Sequence, residues 1–258
     1  MKTVILCGGL GTRLRQETEF RPKPTIEIGG RPILWHIMKL YAHFGHSDFV
    51  LALGYKGDLI RSYFLNYEAM TQDTTIRLGG EPRLTLHGAT REPWTITLAD
   101  TGAPAMTGAR VKQLQRYLSD DTFMATYGDG IADIDLAALL AFHQRHGRIA
   151  TVTGVRPPSR FGELVTDGSQ VVGFTEKPIL QGGSYINGGF FVFNKAVFDY
   201  LSEDDQCALE GEPLERLAAA GQLEVFAHNG YWQCVDTPRD IDAMEHAWHS
   251  DAPWKLWA

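Results

Sequence analysis

Val4-Ile5-Leu6-Cys7-Gly8-Gly9-Leu10-Gly11-Thr12-Arg13-Leu14, with Arg21-Pro22-Lys23-Pro24 close behind, is the stretch on which the rest of the chain turns. A short apolar strand runs into a glycine-rich turn that delivers an arginine, and a lysine follows ten positions after it. Glycines let backbone N–H groups approach phosphate oxygens closely, and clustered N–H groups form a nest for anions. Arg13 and Lys23 add full positive charge to those partial charges. The pattern therefore suits a site that holds nucleotide phosphates. Two better-known phosphate loops do not fit it. A P-loop ends in Gly-Lys-Ser/Thr, whereas Gly11 is followed by Thr12-Arg13. A dinucleotide fingerprint needs a third glycine where Leu14 stands, and an acidic residue near Leu34 and Trp35.

The rest of the chain supplies the setting for that turn. Residues 3–7, 49–53, 123–127 and 149–155 read as buried strands, and residues 32–45, the segment after Gly54 through Tyr63, and 136–146 read as helices. Strands alternating with helices predict an α/β fold with a doubly wound, mostly parallel sheet flanked by helices. Ligands of such sheets bind beyond the carboxyl ends of the strands. Gly8-Gly9, Gly54 and Gly128-Asp129-Gly130 all fall there. Residues 67–108 show no clear helix and read as a small β-rich insertion bordering the site. β signals at 162–165, 171–175 and 189–193 read as a separate substrate-side layer, and helices at 212–220 and 238–249 follow. A single domain spanning 1–258 is expected.

Composition narrows the function. The 258 residues carry a net charge of −7, which opposes sequence-independent nucleic-acid binding. No apolar run is long enough to span a membrane. Cys7, Cys207 and Cys234 are odd in number and show no CxxC spacing, which fits free thiols in the cytoplasm.

Together the motifs resemble those of the sugar-1-phosphate nucleotidyltransferases. They run in order as Gly8-Gly9-Leu10-Gly11-Thr12-Arg13-Leu14, Pro22-Lys23-Pro24, Gly128-Asp129-Gly130, Glu176-Lys177-Pro178, Asn187-Gly188-Gly189 and Asp236-Thr237. The resemblance covers nearly the whole chain and implies the Rossmann-like fold of that family. Further segments resemble one branch, whose members transfer a cytidylyl group from CTP to glucose-1-phosphate. They are residues 31–38, Glu92-Pro93-Trp94, Asp100-Thr101-Gly102, Met106-Thr107-Gly108-Ala109-Arg110 and Ala252-Pro253-Trp254-Lys255. CTP as donor rests on this resemblance alone, because no spacing or composition reports the base. UTP or dTTP is the alternative donor, and a catalytically silent nucleotide or sugar-phosphate sensor is the alternative class.

The resemblance also implies the site. Leu6, Gly8, Gly9, Leu10, Gly11, Thr12, Arg13, Thr107, Arg110, Gly128 and Asp129 are expected at the nucleotide, with Arg13 and Lys23 catalytic. Glu176, Lys177, Asn187 and Gly188 are expected at the sugar phosphate. Asp129 and Asp236 are expected to hold Mg²⁺, which takes one or two carboxylates beside phosphates and waters. Asp236 also reads as an N-cap for the last helix. His143 and His146 read as a solvated helix end rather than a metal pair. Trp248, Trp254 and Trp257 are expected against the chain's own fold or, preferably, a second subunit of a homo-oligomer.

Overall fold

The computed structural model describes residues 1–79, 83–88, 92–156, 163–175 and 185–257, with backbone alone at 13, 15, 16, 163–167, 174 and 175. β1 (Thr3–Leu6) opens the chain, and α1 (Arg15–Thr18) follows the glycine turn. Two-residue strands β2 (Glu27–Ile28) and β3 (Arg31–Pro32) pair ahead of α2 (Ile33–His43) and β4 (Asp48–Leu53). Next come α3 (Gly57–Leu65), α4 (Tyr67–Thr71), a hairpin of β5 (Asp73–Arg77) and β6 (Arg83–His87), and β7 (Thr95–Asp100). The middle of the chain holds α5 (Thr107–Gln113), β8 (Thr122–Tyr127), β9 (Gly130–Ala132), α6 (Leu136–His146) and β10 (Ala150–Val155). β11 (Glu163–Asp167), β12 (Gln170–Thr175), β13 (Ile186–Asn194), α7 (Glu212–Ala219), β14 (Leu223–His228), β15 (Trp232–Cys234) and α8 (Pro238–Trp248) complete it.

Seven strands form the central sheet in the order β14-β10-β13-β8-β1-β4-β7. All neighbouring pairs are parallel except those of β13, which runs antiparallel to both β8 and β10. The central strands are covered on both faces, which is why they read as continuous apolar runs. Successive side chains alternate between two cores. Ile5, Phe49, Leu51, Met124 and Phe190 pack under α2, α6 and α8. Val4, Val50, Phe123, Ala125 and Phe191 pack under α5 and α7.

This topology places the site. From β1 the chain winds outward through α2 to β4 and on to β7, then returns through α5 to β8 on the other side of β1. Because α2 and α5 cover opposite faces, a crevice opens between the carboxyl ends of β1 and β8, the switch point of a doubly wound sheet. The glycine turn follows one of these strands and Gly128-Asp129 follows the other.

Several expectations need correction. Residues 67–108 are not one insertion. α4 and the β5–β6 hairpin stand outside the central sheet, but β7 is its edge strand, paired in register with β4. The segment at 189–193 belongs to β13, in the middle of the central sheet rather than in a separate layer. Pro32 ends β3 and flanks α2 instead of entering its first turn. His143 is no solvated residue. It is 2% exposed, and its Nδ1 and His146 Nε2 both meet Thr151 Oγ1, at 2.8 and 2.7 Å. Trp254 is fully buried, stacked on Tyr231 and on Trp248, with its Nε1–H directed at His36 of α2. The tail therefore packs on the chain's own fold, where the expectation had leaned toward a second subunit.

Candidate active site

The glycine turn is held from beneath. Cys7 N–H donates to Ala52 O (3.0 Å), carrying the sheet one residue past β1. Gly11 then takes φ +61°, a conformation that a Cβ disfavours. Thr18 Oγ1 lies 3.0 Å from the carbonyl oxygens of both Gly11 and Leu14 and pins the turn. Gly8 is needed for a different reason: a Cβ there would stand 2.2 Å from the Arg110 guanidinium.

Arg110 itself is 3% exposed. It donates to the carbonyl oxygens of Gly8 (2.9 Å), Leu53 (3.1 Å), Gly102 (2.7 Å) and Ala103 (3.2 Å), and to Thr101 Oγ1 (2.7 Å). These acceptors lie at or just beyond the ends of β1, β4 and β7, so one side chain ties three strand ends together. Burial draws its pKa below the ordinary guanidinium value. Arg110 lines the crevice, as expected of a nucleotide residue, but its donors are directed at four backbone carbonyls and the Thr101 hydroxyl.

Two adjoining cavities of about 470 and 460 Å³ fill the crevice. Leu6, Gly8, Gly9, Leu10, Gly11, Thr12, Thr107, Arg110, Gly128 and Asp129 line the first. One stretch of its wall, Ala103-Pro104-Ala105-Met106, is apolar. Asn187, Gly188 and Asp236 line the second. Lys23 and Asp129 border both cavities.

Asp129 and Asp236 meet because of a short strand pair. β9 begins just after Asp129 and β15 ends just before Val235-Asp236, and Gly130 is in register with Cys234. Val235 N–H closes the pairing on Asp129 O at 2.9 Å. Lys23 Nζ then lies 2.8 Å from Asp129 Oδ2 and 2.7 Å from Asp236 Oδ1, so those oxygens are no farther apart than the sum of the two, 5.5 Å. Burial lowers the lysine pKa, but the charges and hydrogen bonds of both aspartates outweigh it and raise the net value. The N-cap of α8 is Thr237, which forms a capping box with Asp240, so Asp236 does not cap that helix. Beside it, the Cys234 thiol is pushed up to about 12 by burial and the two carboxylates, and stays protonated. Two convergent carboxylates beside a glycine turn fit a hard divalent cation of the kind that shares its coordination with phosphates and water.

A second polar cluster faces the same crevice. Glu210 accepts from Thr107 Oγ1 (2.6 Å) and from the Tyr127 hydroxyl. Tyr127 in turn accepts from Asn187 Nδ2 (3.0 Å). Trp232 Nε1–H donates to Gly188 O (2.8 Å). Glu210, Tyr127 and Trp232 were not among the expected site residues. Tyr127 had a usable signal, since it directly precedes Gly128-Asp129 at a strand end. Glu210 had none, because it is one acid in an acidic loop. Glu176, Lys177 and the Arg13 side chain lie outside the described residues.

Residues 2–249 match the family model described as nucleotidyl transferase. The chain belongs to the nucleotidyl transferase family. Nucleotidyl transferases generally use a divalent metal. This member is 50% identical to the glucose-1-phosphate cytidylyltransferase of Salmonella typhimurium over 259 residues, covering 100% of both chains. It is 31% identical to the mannose-1-phosphate guanylyltransferase catalytic subunit beta of Dictyostelium discoideum, over 93% of this chain and 62% of that one. Its fold is similar to that of HddC from Yersinia pseudotuberculosis, with a TM-score of 0.70 at 23% identity, over 96% of this chain and 99% of the other. Among the described residues of this nucleotidyl transferase, no helix is long and apolar enough to cross a membrane.

Proposed function

We propose that this nucleotidyl transferase moves the cytidylyl group of CTP to glucose-1-phosphate, forming CDP-glucose and pyrophosphate. The observation that carries the reading is the convergence of Lys23, Asp129 and Asp236 beneath the glycine turn. The 50% full-length identity to a glucose-1-phosphate cytidylyltransferase supports the choice of substrates.

A phosphate oxygen of glucose-1-phosphate attacks the α-phosphorus of CTP, and the bond from that phosphorus to the pyrophosphate oxygen breaks. A phosphate monoester has a second pKa of about 6, so the nucleophile is already mostly dianionic at neutral pH and needs no general base. Catalysis is then positioning and charge neutralisation. The N–H groups of the glycine turn cradle the phosphates, and Arg13 neutralises the leaving pyrophosphate. Lys23, whose raised pKa keeps it an ammonium, neutralises charge at the α-phosphate or the incoming sugar phosphate. Asp129 and Asp236 are the residues that would hold Mg²⁺, which when bound neutralises phosphate charge and orients the reacting groups. Glu176, Lys177, Asn187 and Gly188 are assigned to the sugar phosphate. The free thiols Cys7, Cys207 and Cys234 suit residence in the cytoplasm, where CTP is available.

The test is pyrophosphate release from CTP, UTP, dTTP and GTP in turn, each with glucose-1-phosphate and Mg²⁺. CTP should give the highest kcat/KM. Equal or faster turnover of UTP or dTTP would overturn the donor while leaving the reaction class intact. Release from no nucleotide would favour the silent sensor.

A further inference from the structure

Three acidic side chains line the two cavities among the described residues, and they are held in different ways. Asp129 and Asp236 are bound to the Lys23 ammonium. Glu210 is met by neutral hydroxyl groups instead, Thr107 Oγ1 on its Oε2 and the Tyr127 hydroxyl on its Oε1. The direction of these bonds is informative. Leu209 N–H donates to Thr107 Oγ1 (2.9 Å), whose own proton goes to Glu210. Asn187 Nδ2–H donates to the Tyr127 oxygen, whose proton also goes to Glu210. Both chains end on the carboxylate, which is therefore their final acceptor. Burial and the Glu210 charge raise the Tyr127 pKa, so the phenol remains a donor.

A carboxylate oxygen has two lone-pair directions, so each oxygen of Glu210 keeps one after these bonds. Glu210 is exposed and borders both cavities. A negative group in a crevice built for phosphates repels further phosphate. What it can accept are hydrogen-bond donors, two at a time, one on each oxygen. Two adjacent hydroxyls of a sugar ring have that form.

We propose that Glu210 is a specificity-determining residue that binds a vicinal diol of a substrate sugar, with Thr107 and Tyr127 fixing its orientation. The proposal rests on the sugar-nucleotide reading of the crevice. The ribose of the nucleotide and the hexose of the sugar phosphate both present such a diol, and the experiment separates them.

The test is calorimetric binding of four ligands to the wild type and to Glu210→Gln: CTP, 2′-deoxy-CTP, glucose-1-phosphate and 3-deoxyglucose-1-phosphate, which lacks the hydroxyl shared by both ring diols of the hexose. The side chain is exposed, so the substitution should leave the fold intact, and circular dichroism checks this. A hydrogen bond to a charged group corresponds to roughly a tenfold to hundredfold change in affinity. The wild type should therefore bind one deoxy ligand about that much more weakly than its parent, and Glu210→Gln should bind the two nearly equally. Loss of discrimination in the nucleotide pair assigns the ribose, and loss in the hexose pair assigns the sugar phosphate. A merely structural role would weaken parent and deoxy ligand alike and keep their ratio. Unchanged ratios in both pairs overturn the proposal. A wild type that binds neither parent ligand overturns the function on which the proposal rests, and pyrophosphate release by the wild type with CTP separates that failure from the first.

Discussion

Replacing Arg110 by methionine keeps a stem of similar length and removes every donor of the guanidinium. Five acceptors lose a charge-assisted hydrogen bond. Their losses are unequal. Leu53 O still receives Thr101 N–H (2.9 Å) and Thr101 Oγ1 (2.6 Å), and Gly8 O still receives Tyr55 N–H (3.2 Å). Gly102 O and Ala103 O are only part-buried in these bonds and can take water. The methionine also removes the cost of holding a charge in a nearly closed space. A full unsatisfied penalty at all five positions is thus too large, and a net loss of about 3 kcal/mol is the reasonable figure for a few weakened bonds to a charged donor. For a chain of this size that lowers Tm by about 6–12 °C. The assay is thermal unfolding by circular dichroism, paired with calorimetric CTP binding. Both should deteriorate together, because Gly8 O, one of the four carbonyl groups that Arg110 holds, belongs to the glycine turn proposed to cradle the phosphates, and Ala103 O belongs to the crevice wall. A variant whose Tm stays within about 1 °C of wild type while CTP affinity collapses would refute the reasoning and make Arg110 a direct phosphate ligand.

Three other perturbations test the crevice and its supports. Lys23→Ala should lower kcat by roughly 10²–10³, the usual effect of one preorganised electrostatic partner, and near-normal kcat would reduce Lys23 to a structural cation. The same variant should bind Mg²⁺ more tightly without nucleotide, since no ammonium competes for the two carboxylates. Asp129→Asn and Asp236→Asn should each raise the Mg²⁺ concentration needed for half-maximal activity, and the double variant should cost less than the sum; strict additivity would indicate separate sites. His36 is fully buried, its Nε2 2.8 Å from Ile28 O, and burial lowers its pKa to about 4. The unfolded chain binds that proton below about pH 6.5 and the folded chain does not, so His36 should cost stability progressively from about pH 6.5 down to 4, on the order of 3 kcal/mol at the lower end. Urea melts of His36→Gln should show a shallower decline over that window, and parallel declines would exclude the effect.

What could be read from the chain, and what could not, divides along a physical line. β1, β4, β8 and β10 announce themselves because a strand buried on both faces must be apolar throughout. β7 does not. At the sheet edge, Thr95, Ile96, Thr97 and Leu98 are only partly covered or exposed, so the segment looks like polar insertion. β13 was legible as a strand but not as a neighbour of β8, because sheet order depends on contacts far apart in the chain. His143 shows the same limit, since its burial depends on Thr151 and Asn194 across the fold.

The candidate site follows the same division. Glycine turns and the aspartates that follow strands are local, and the residues expected there do line the crevice wherever they are described. The meeting of Asp129 with Asp236 depends on β9 and β15, each three residues long and too short to show a period. The resemblance implied that the two aspartates share a metal, but no pattern in the segments themselves showed the strand pairing that brings them together. Arg110 carries the argument furthest. An arginine near a phosphate loop looks the same in sequence whether it faces the ligand or the loop. Gly8 does not separate the two readings, because a glycine admits a phosphate from one side as readily as a guanidinium from the other. Only the direction of the donors does so, and here the five bonds of the guanidinium run to Gly8, Leu53, Thr101, Gly102 and Ala103. The positive charge expected at the phosphates is, at this position, used to hold the shape that receives them.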